Sequence, residues 1–342
     1  MKQTIVFECK TWEGEYWSRD IPGGVDVSPY TTAIFEVPAD GGAPPRRIPV
    51  GVEGKANYPA YSPDGRWVHF QAQQDGRWHL FRCRRDGSAV QCLTAAHSPP
   101  GDRFGYRLSR DGTRVLFVYH DGRIGKVGIM DPDGANPHLI APELGYHYMA
   151  DISADNRAVV FAYTAEGYTL MLKRLDTGEL TPLTPGLTEC FAPTFTPDGR
   201  TVVFIRRGGD VYRVGTDACG FKRLTEGNDY DHFRLSPGDK HASTDACSVS
   251  PDGERIAGVA MASGVPQVYV MDIDGSNRRQ LTFRRTPCGR ATFAPDGRRV
   301  AFVSWEGNYT QLFVTDIGGS EPLRLTDVSG AVCCLAWGRG SN

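Results

Sequence analysis

The densest polar stretch of the chain is Gly227-Asn228-Asp229-Tyr230-Asp231-His232-Phe233-Arg234, continued by Ser236-Pro237-Gly238-Asp239-Lys240-His241 and Ser243-Thr244-Asp245-Ala246-Cys247. It puts two histidines, several carboxylates, an arginine and a lysine on one segment. A second group is Asp102, Arg103, Tyr106 and Arg107, with Tyr146-His147-Tyr148 and Asp151 further on and His97 and His120 nearby. A third is aromatic: residues 10–32 hold Trp12, Tyr16, Trp17, Arg19, Asp20 and Tyr30. Facing one polar cavity, such groups suit β-elimination from a uronic acid. An arginine or a metal neutralises the C5 carboxylate and acidifies the C5 proton, a His or Tyr removes that proton, and a second one protonates the leaving oxygen. The expected catalytic residues are His147, His232, His241 and Tyr148. The expected substrate contacts are Arg103, Arg107, Arg234, Arg290, Trp12, Trp17, Tyr146 and Asp245. A plainer structural account competes with each: Asp and Ser make turns, a His can cap a loop, and loop aromatics can pack over the domain. His69 and His79, flanked by Val68, Phe70, Trp78 and Leu80, read as packing residues and His138 as surface.

These groups need a scaffold that brings distant loops together, and the chain repeats itself. Tyr61-Ser62-Pro63-Asp64-Gly65 returns as Leu108-Ser109-Arg110-Asp111-Gly112, Ile152-Ser153-Ala154-Asp155-Asn156, Phe195-Thr196-Pro197-Asp198-Gly199, Val249-Ser250-Pro251-Asp252-Gly253 and Phe293-Ala294-Pro295-Asp296-Gly297. The six Asp positions lie 47, 44, 43, 54 and 44 residues apart. One strand-turn-strand signature at this period predicts an all-β propeller of four-stranded antiparallel blades. A second turn recurs at Asp86-Gly87, Asp133-Gly134 and Asp274-Gly275, and most outer strands close on Leu-Thr, as at Leu93-Thr94, Leu183-Thr184 and Leu325-Thr326. The N-terminal segment supplies second, third and fourth strands with no inner strand before them, and residues 332–337 supply an inner strand with nothing after it. The two ends are therefore expected to complete one blade, closing a ring of seven. The whole chain is then a single domain: a composite blade of 1–50 and 327–342, and full blades near 51–94, 95–140, 141–184, 185–225, 226–282 and 283–326. The segments 10–32 and 226–246 are its outsized loops.

Composition narrows the partners. Lys+Arg number 38 against Asp+Glu 40, a formal net charge of −2, which argues against nucleic acid and membrane surfaces. No leader-like apolar run opens the sequence and no segment reaches the ~18 apolar residues of a membrane span, so a cytoplasmic monomer is expected. Nine cysteines, with Cys333 and Cys334 adjacent and no CxxC pair, read as reduced thiols. There is no GxSxG elbow, no P-loop and no HExxH motif. A divalent metal (Mn, Ca or Zn) on the histidines stays open as a cofactor.

The corner tetrapeptide, the Leu-Thr endings and strands such as Gln267-Val268-Tyr269-Val270-Met271-Asp272 resemble the TolB-like propeller repeats, also described as PD40 or WD40-like. The propeller together with Asp231-His232, His241 and the run 243–253 is similar to the oligogalacturonate lyase family and, more loosely, to ulvan-type lyases. That resemblance implies an acidic oligosaccharide as substrate and a lyase activity. The alternative is a non-catalytic propeller that binds a protein or glycan partner. The lyase reading expects His147, His232, His241 and at least one of Arg107, Arg234 or Arg290 in one cavity. The scaffold reading expects scattered histidines and an apolar patch around Trp12 and Trp17.

Overall fold

Five of the six Asp corners are closed circuits of hydrogen bonds; the sixth has Ala294 in place of the hydroxyl residue and keeps only the carboxylate-to-N–H part. The Ser or Thr two residues before the Asp donates its hydroxyl to the carboxylate, at 2.7 Å for Ser109 and 2.6 Å for Ser153 and Thr196. The carboxylate accepts the N–H two residues on, from Arg66, Thr113, Arg157, Arg200, Glu254 and Arg298 in turn. The hydroxyl in turn accepts the N–H that opens the next strand, as at Trp67 and Arg114. Burial pushes the Asp111 carboxyl up, but the Thr113 N–H and the Ser109, Asn156 and Thr113 side chains outweigh it and hold it at about 2. The next residue must be left-handed, with φ +68° at Gly65 and +79° at Gly253, which explains the glycine; Asn156 at +58° is the one other residue type used there.

The Leu-Thr endings are equally local in origin. The Thr hydroxyl accepts an N–H from its own blade's third strand: Leu80 to Thr94, Leu170 to Thr184, Val211 to Thr225, Val268 to Thr282 and Leu312 to Thr326, at 2.9–3.1 Å. Thr94, Thr184, Thr282 and Thr326 are buried, as are Leu93, Leu183, Leu281 and Leu325 beside them.

The computed structural model describes residues 3–12, 30–52, 54–164, 167–228 and 247–338. Among them lie seven four-stranded antiparallel sheets and no helix. The inner strands of blades 1 to 6 are Ala56–Tyr61, Asp102–Leu108, His147–Ile152, Cys190–Phe195, Ser248–Val249 and Cys288–Phe293. Blade 7 is composite, as the sequence led us to expect. Its inner strand is the C-terminal Ala331–Gly338, followed outward by Thr4–Trp12, Tyr30–Pro38 and Arg46–Ile48. Ile5 pairs directly with Trp337, and Phe7 with Leu335.

The core lies between neighbouring blades. One cluster joins Val160, Ala162 and Leu172 of blade 3 to Phe204, Tyr212 and Val214 of blade 4; another joins Ile5, Phe7 and Val332 of blade 7 to Val303, Leu312 and Val314 of blade 6. Second strands are thus covered on both faces, and they read as continuous apolar runs. The ring seam is also tied by polar contacts: Trp337 Nε1 donates to the Thr292 carbonyl (3.1 Å), and Arg299 reaches the Ala39 carbonyl (3.1 Å) and Gln3 Oε1 (2.6 Å).

Deleting residues 331–342 should strip the Thr4–Trp12 strand of its inner partner and expose a sheet edge. Two or three buried apolar side chains at about 1.5–3 kcal/mol each put the loss at roughly 5 kcal/mol. Thermal unfolding should occur at a markedly lower temperature with light scattering from aggregates; an unchanged melting curve would contradict closure by this strand.

Candidate functional site

The inner strands are not regular. In blade 1 Asn57 pairs with Gln71 and Ala60 with His69, so Tyr58 and Pro59 stand opposite one residue. The same two-against-one bulge falls between Phe104 and Arg107, Tyr148 and Asp151, Phe191 and Thr194, and Gly289 and Thr292. Its first residue is left-handed each time: Tyr58 (φ 53°), Gly105 (60°), Met149 (51°), Ala192 (49°) and Arg290 (56°). A regular strand shows alternate residues to one side, whereas a bulge turns successive residues the same way. Three consecutive residues from several strands consequently line the central channel: Tyr58-Pro59-Ala60, Gly105-Tyr106-Arg107, Arg290-Ala291-Thr292 and Cys334-Leu335-Ala336.

This channel encloses ≈ 410 Å³. Towards the Asp corners it continues into a second cavity of ≈ 320 Å³, and Arg107, Leu108, Thr194 and Val249 line both. The register sets the opposite, upper face: Asp102 pairs with His120 and His147 with Tyr163, so inner strands begin there. Arg290, three residues into its strand, is 8% exposed and stands on the upper channel wall. Arg107 lies deeper. Its Nε donates to Asp151 Oδ1 at 2.8 Å, and Asp151 Oδ2 accepts the Phe195 N–H at 2.8 Å, so one carboxylate ties blades 2, 3 and 4 and fixes the guanidinium. Glu8, buried in the second strand of blade 7, accepts the N–H of Tyr58 (3.2 Å) and braces the neighbouring bulge. The Tyr106 hydroxyl lies 2.7 and 2.6 Å from the Tyr58 and His69 carbonyls, which joins blade 2 to blade 1.

The upper face also carries an aromatic row across blades 2 to 4. Ring centroids of His120 and Tyr146 are 6.3 Å apart, Tyr146 and Tyr148 5.4 Å, Tyr148 and Tyr168 5.4 Å, and Tyr168 and Phe191 4.9 Å. Burial, then the Tyr168 hydroxyl, pushes the Tyr148 phenol far up, so it stays protonated and can serve as an acid.

Two expected site residues stand elsewhere. His147 is fully buried; its Nδ1 accepts the Val127 N–H (3.0 Å) and its Nε2 faces the Ala141 carbonyl (3.2 Å). Val127 is the blade 2 counterpart of Leu80, Leu170, Val211, Val268 and Leu312, and Ala141 stands where the other blades have the capping Thr. His147 therefore replaces a missing hydroxyl from the next blade, and no ring nitrogen remains for a substrate. Arg103 is 3% exposed, donates to the carbonyls of Gly101 (3.1 Å) and Pro99 (2.8 Å) and lies over the Tyr119 ring; it clamps its own loop instead of facing the channel. Both occupy the position eight residues before the corner Asp, where other blades bury Ala56, Cys190 and Cys288. That register was available in the sequence.

Arg107 and Arg290 do share one channel, and Tyr146 and Tyr148 share the aromatic row. His232, His241, Arg234, Asp245 and Trp17 lie outside the described residues, and Trp12 is described only as the strand residue paired with Tyr30. His69 and His79 are buried and His138 is exposed, as expected. Sequence reasoning missed Thr194 and Arg110. Among the described residues no group of three His, Cys, Asp or Glu side chains could hold a metal ion.

No family model matches the chain. An uncharacterized protein of Agrobacterium fabrum is 36% identical over 92 residues, covering 25% of this chain and 30% of that protein, so the match spans under a third of the relative's length. Among solved structures, TolB from Acinetobacter baumannii aligns with TM-score 0.55 and 15% identity over 98% of this chain and 66% of that one. Oligogalacturonate lyase from Vibrio parahaemolyticus aligns at 0.61 and 16% over 96% and 87%. An oligogalacturonate lyase in complex with manganese aligns at 0.60 and 18% over 78% and 75%. The likeness is one of fold. The chain is a seven-bladed propeller built like TolB and the oligogalacturonate lyases, and the resemblance read from its corners and strand endings holds at that level.

His147→Ala should destabilise the protein by roughly 2–4 kcal/mol, by cavity and by an orphaned N–H. Adding Ala141→Thr to that variant should recover about 1 kcal/mol in denaturant titrations; no recovery would contradict the substitution of one cap for the other. Burial also pushes the His147 and His69 imidazoles down to about 4. Unfolded histidines titrate near 6.5, so stability is complete above that value and falls as pH drops towards 4. Removing His147 should make this fall shallower, and an unchanged pH dependence would count against a buried neutral ring.

Proposed function

We propose that the chain binds a uronate-containing oligosaccharide at the upper mouth of the channel and cleaves it by β-elimination, as a cytoplasmic monomer acting on short fragments. One observation carries the reading: Arg290, nearly buried and held left-handed on the channel wall, with Arg107 fixed by Asp151 below it. Two guanidinium groups in a narrow channel suit the bidentate capture of carboxylates along an acidic sugar chain.

In this reading Arg290 neutralises the C5 carboxylate of the reacting uronate. A base removes the C5 proton, the C4–O bond breaks, a C4–C5 double bond forms and the departing oxygen takes a proton. Tyr148, kept protonated by its surroundings, is the proposed acid, and Tyr146 beside it packs on the sugar. The base falls to His232 or His241, on the segment leading to Cys247 of the channel wall; Asp245 and Arg234 on that segment, with Trp12 and Trp17, are the remaining proposed contacts. The manganese of the neighbouring lyase suggests a metal, but the described residues offer no donor set for one, so no step is assigned to it. One observation favours the scaffold alternative: the described channel lining contains no histidine.

Oligogalacturonides incubated with the protein, after EDTA treatment and with added manganese, should give rising ultraviolet absorbance from the unsaturated product. Arg290→Gln should lower kcat/KM by about 10²–10³-fold. Calorimetric binding without any rise would move the assignment to a glycan-binding scaffold. Neither heat nor absorbance in any arm would remove the proposal.

A further inference from the structure

Five of the six corners carry Pro or Ala before the Asp; blade 2 carries Arg110. Elsewhere that proline presses on the corner glycine of the next blade: a Cβ on Gly112 would lie 2.9 Å from Pro63 Cδ, and one on Gly253 3.1 Å from Pro197 Cδ. After Arg110 the next corner has Asn156 in place of glycine, and its Nδ2 donates to Asp111 Oδ2 at 2.8 Å. The two departures fit one another, so the surrounding corners accommodate the arginine. Arg110 then crosses the lower mouth. Its Nη2 donates to the Pro251 carbonyl of blade 5 at 3.3 Å, 141 residues away in the chain.

The cavity behind it, ≈ 320 Å³, is lined by Arg107, Arg110, Thr194 and Asp151 among others. Among the described residues of that lining Asp151 is the one carboxylate, and both its oxygens are engaged, by Arg107 Nε and by the Phe195 N–H. The Arg107 Nη atoms, the other Arg110 nitrogens and the Thr194 hydroxyl make no hydrogen bond among the described residues. Their residues line one cavity, where two guanidinium groups stand against one carboxylate. Such a set is complementary to a small oxyanion.

We propose that the lower mouth is a second binding site, separate from the upper one, for a small oxyanion such as a phosphate or a sugar carboxylate, held between Arg107 and Arg110. Arg110 supplies the side of the site that no other blade could, and Arg107 is the wall shared with the upper channel.

Isothermal titration of the full chain with sodium phosphate, and separately with sodium galacturonate, at low ionic strength tests this. At least one anion should bind saturably, and which one does so identifies the class. Arg110→Ala gives this corner the small residue that blade 3 carries at Ala154, with no ring to press on Asn156, so it should keep the melting temperature while weakening that binding at least roughly tenfold, the loss of a charge-assisted contact. Arg290→Gln, on the upper wall and a proposed uronate contact, should leave phosphate binding within about twofold. Saturable binding of neither anion, or affinity untouched by Arg110→Ala, would overturn the proposal. Either result stands whether or not oligouronides bind above.

Discussion

The extra residue in the inner strands of blades 1, 2, 3, 4 and 6 is what lets a ring of sheets show runs of successive side chains to its channel. Without it, side chains would alternate between the axis and the blade body, and a seven-membered ring would show the channel a sparse set of groups. With it, three successive residues line the wall. The cost is a left-handed residue per bulge, on the order of 1–2 kcal/mol where it is not glycine. The neighbouring blade offsets this cost: the Glu8 carboxylate holds the N–H of Tyr58, and the Tyr106 hydroxyl reaches two carbonyls of blade 1. The blade 1 bulge is thus braced from both sides, and the Glu8 side of that brace sits on the Thr4–Trp12 strand that the C-terminal strand pairs with.

A repeat protein also shows how one unit makes good what its neighbour lacks. Blade 2 has no capping threonine, and His147 of blade 3 fills the gap with an imidazole nitrogen. Blade 2 likewise has no corner proline, and Asn156 of blade 3 takes up the space with an amide. A histidine beside tyrosines looks like chemistry until the missing partner in the preceding repeat is noticed. Departures from a repeat come in adjacent pairs here: Asn156 fits the corner it faces, while its partner Arg110 reaches across the lower mouth to blade 5.

The fold was legible because its determinants are local: a hydroxyl two residues from a carboxylate, a glycine after it and a threonine at a strand end each leave a mark at fixed spacing. Ring closure was legible from an inner strand without followers and followers without an inner strand. The site was legible in part. Arg107 and Arg290 were marked by residue type, but their joint placement depends on a bulge occupied by Tyr, Gly, Met, Ala and Arg in different blades. No side-chain preference records it. His147 and Arg103 were misread because loop position was weighed above register: counted back from the corner Asp, both fall on the buried position that other blades fill with Ala or Cys.

The most direct measurement is a crystal structure of the chain soaked with trigalacturonate. The account predicts electron density for the sugar in the upper channel mouth, with one carboxylate within hydrogen-bonding distance of the Arg290 guanidinium. Sugar density confined to the outer faces of the blades, or a fully ordered channel holding only water at saturating ligand, would contradict it.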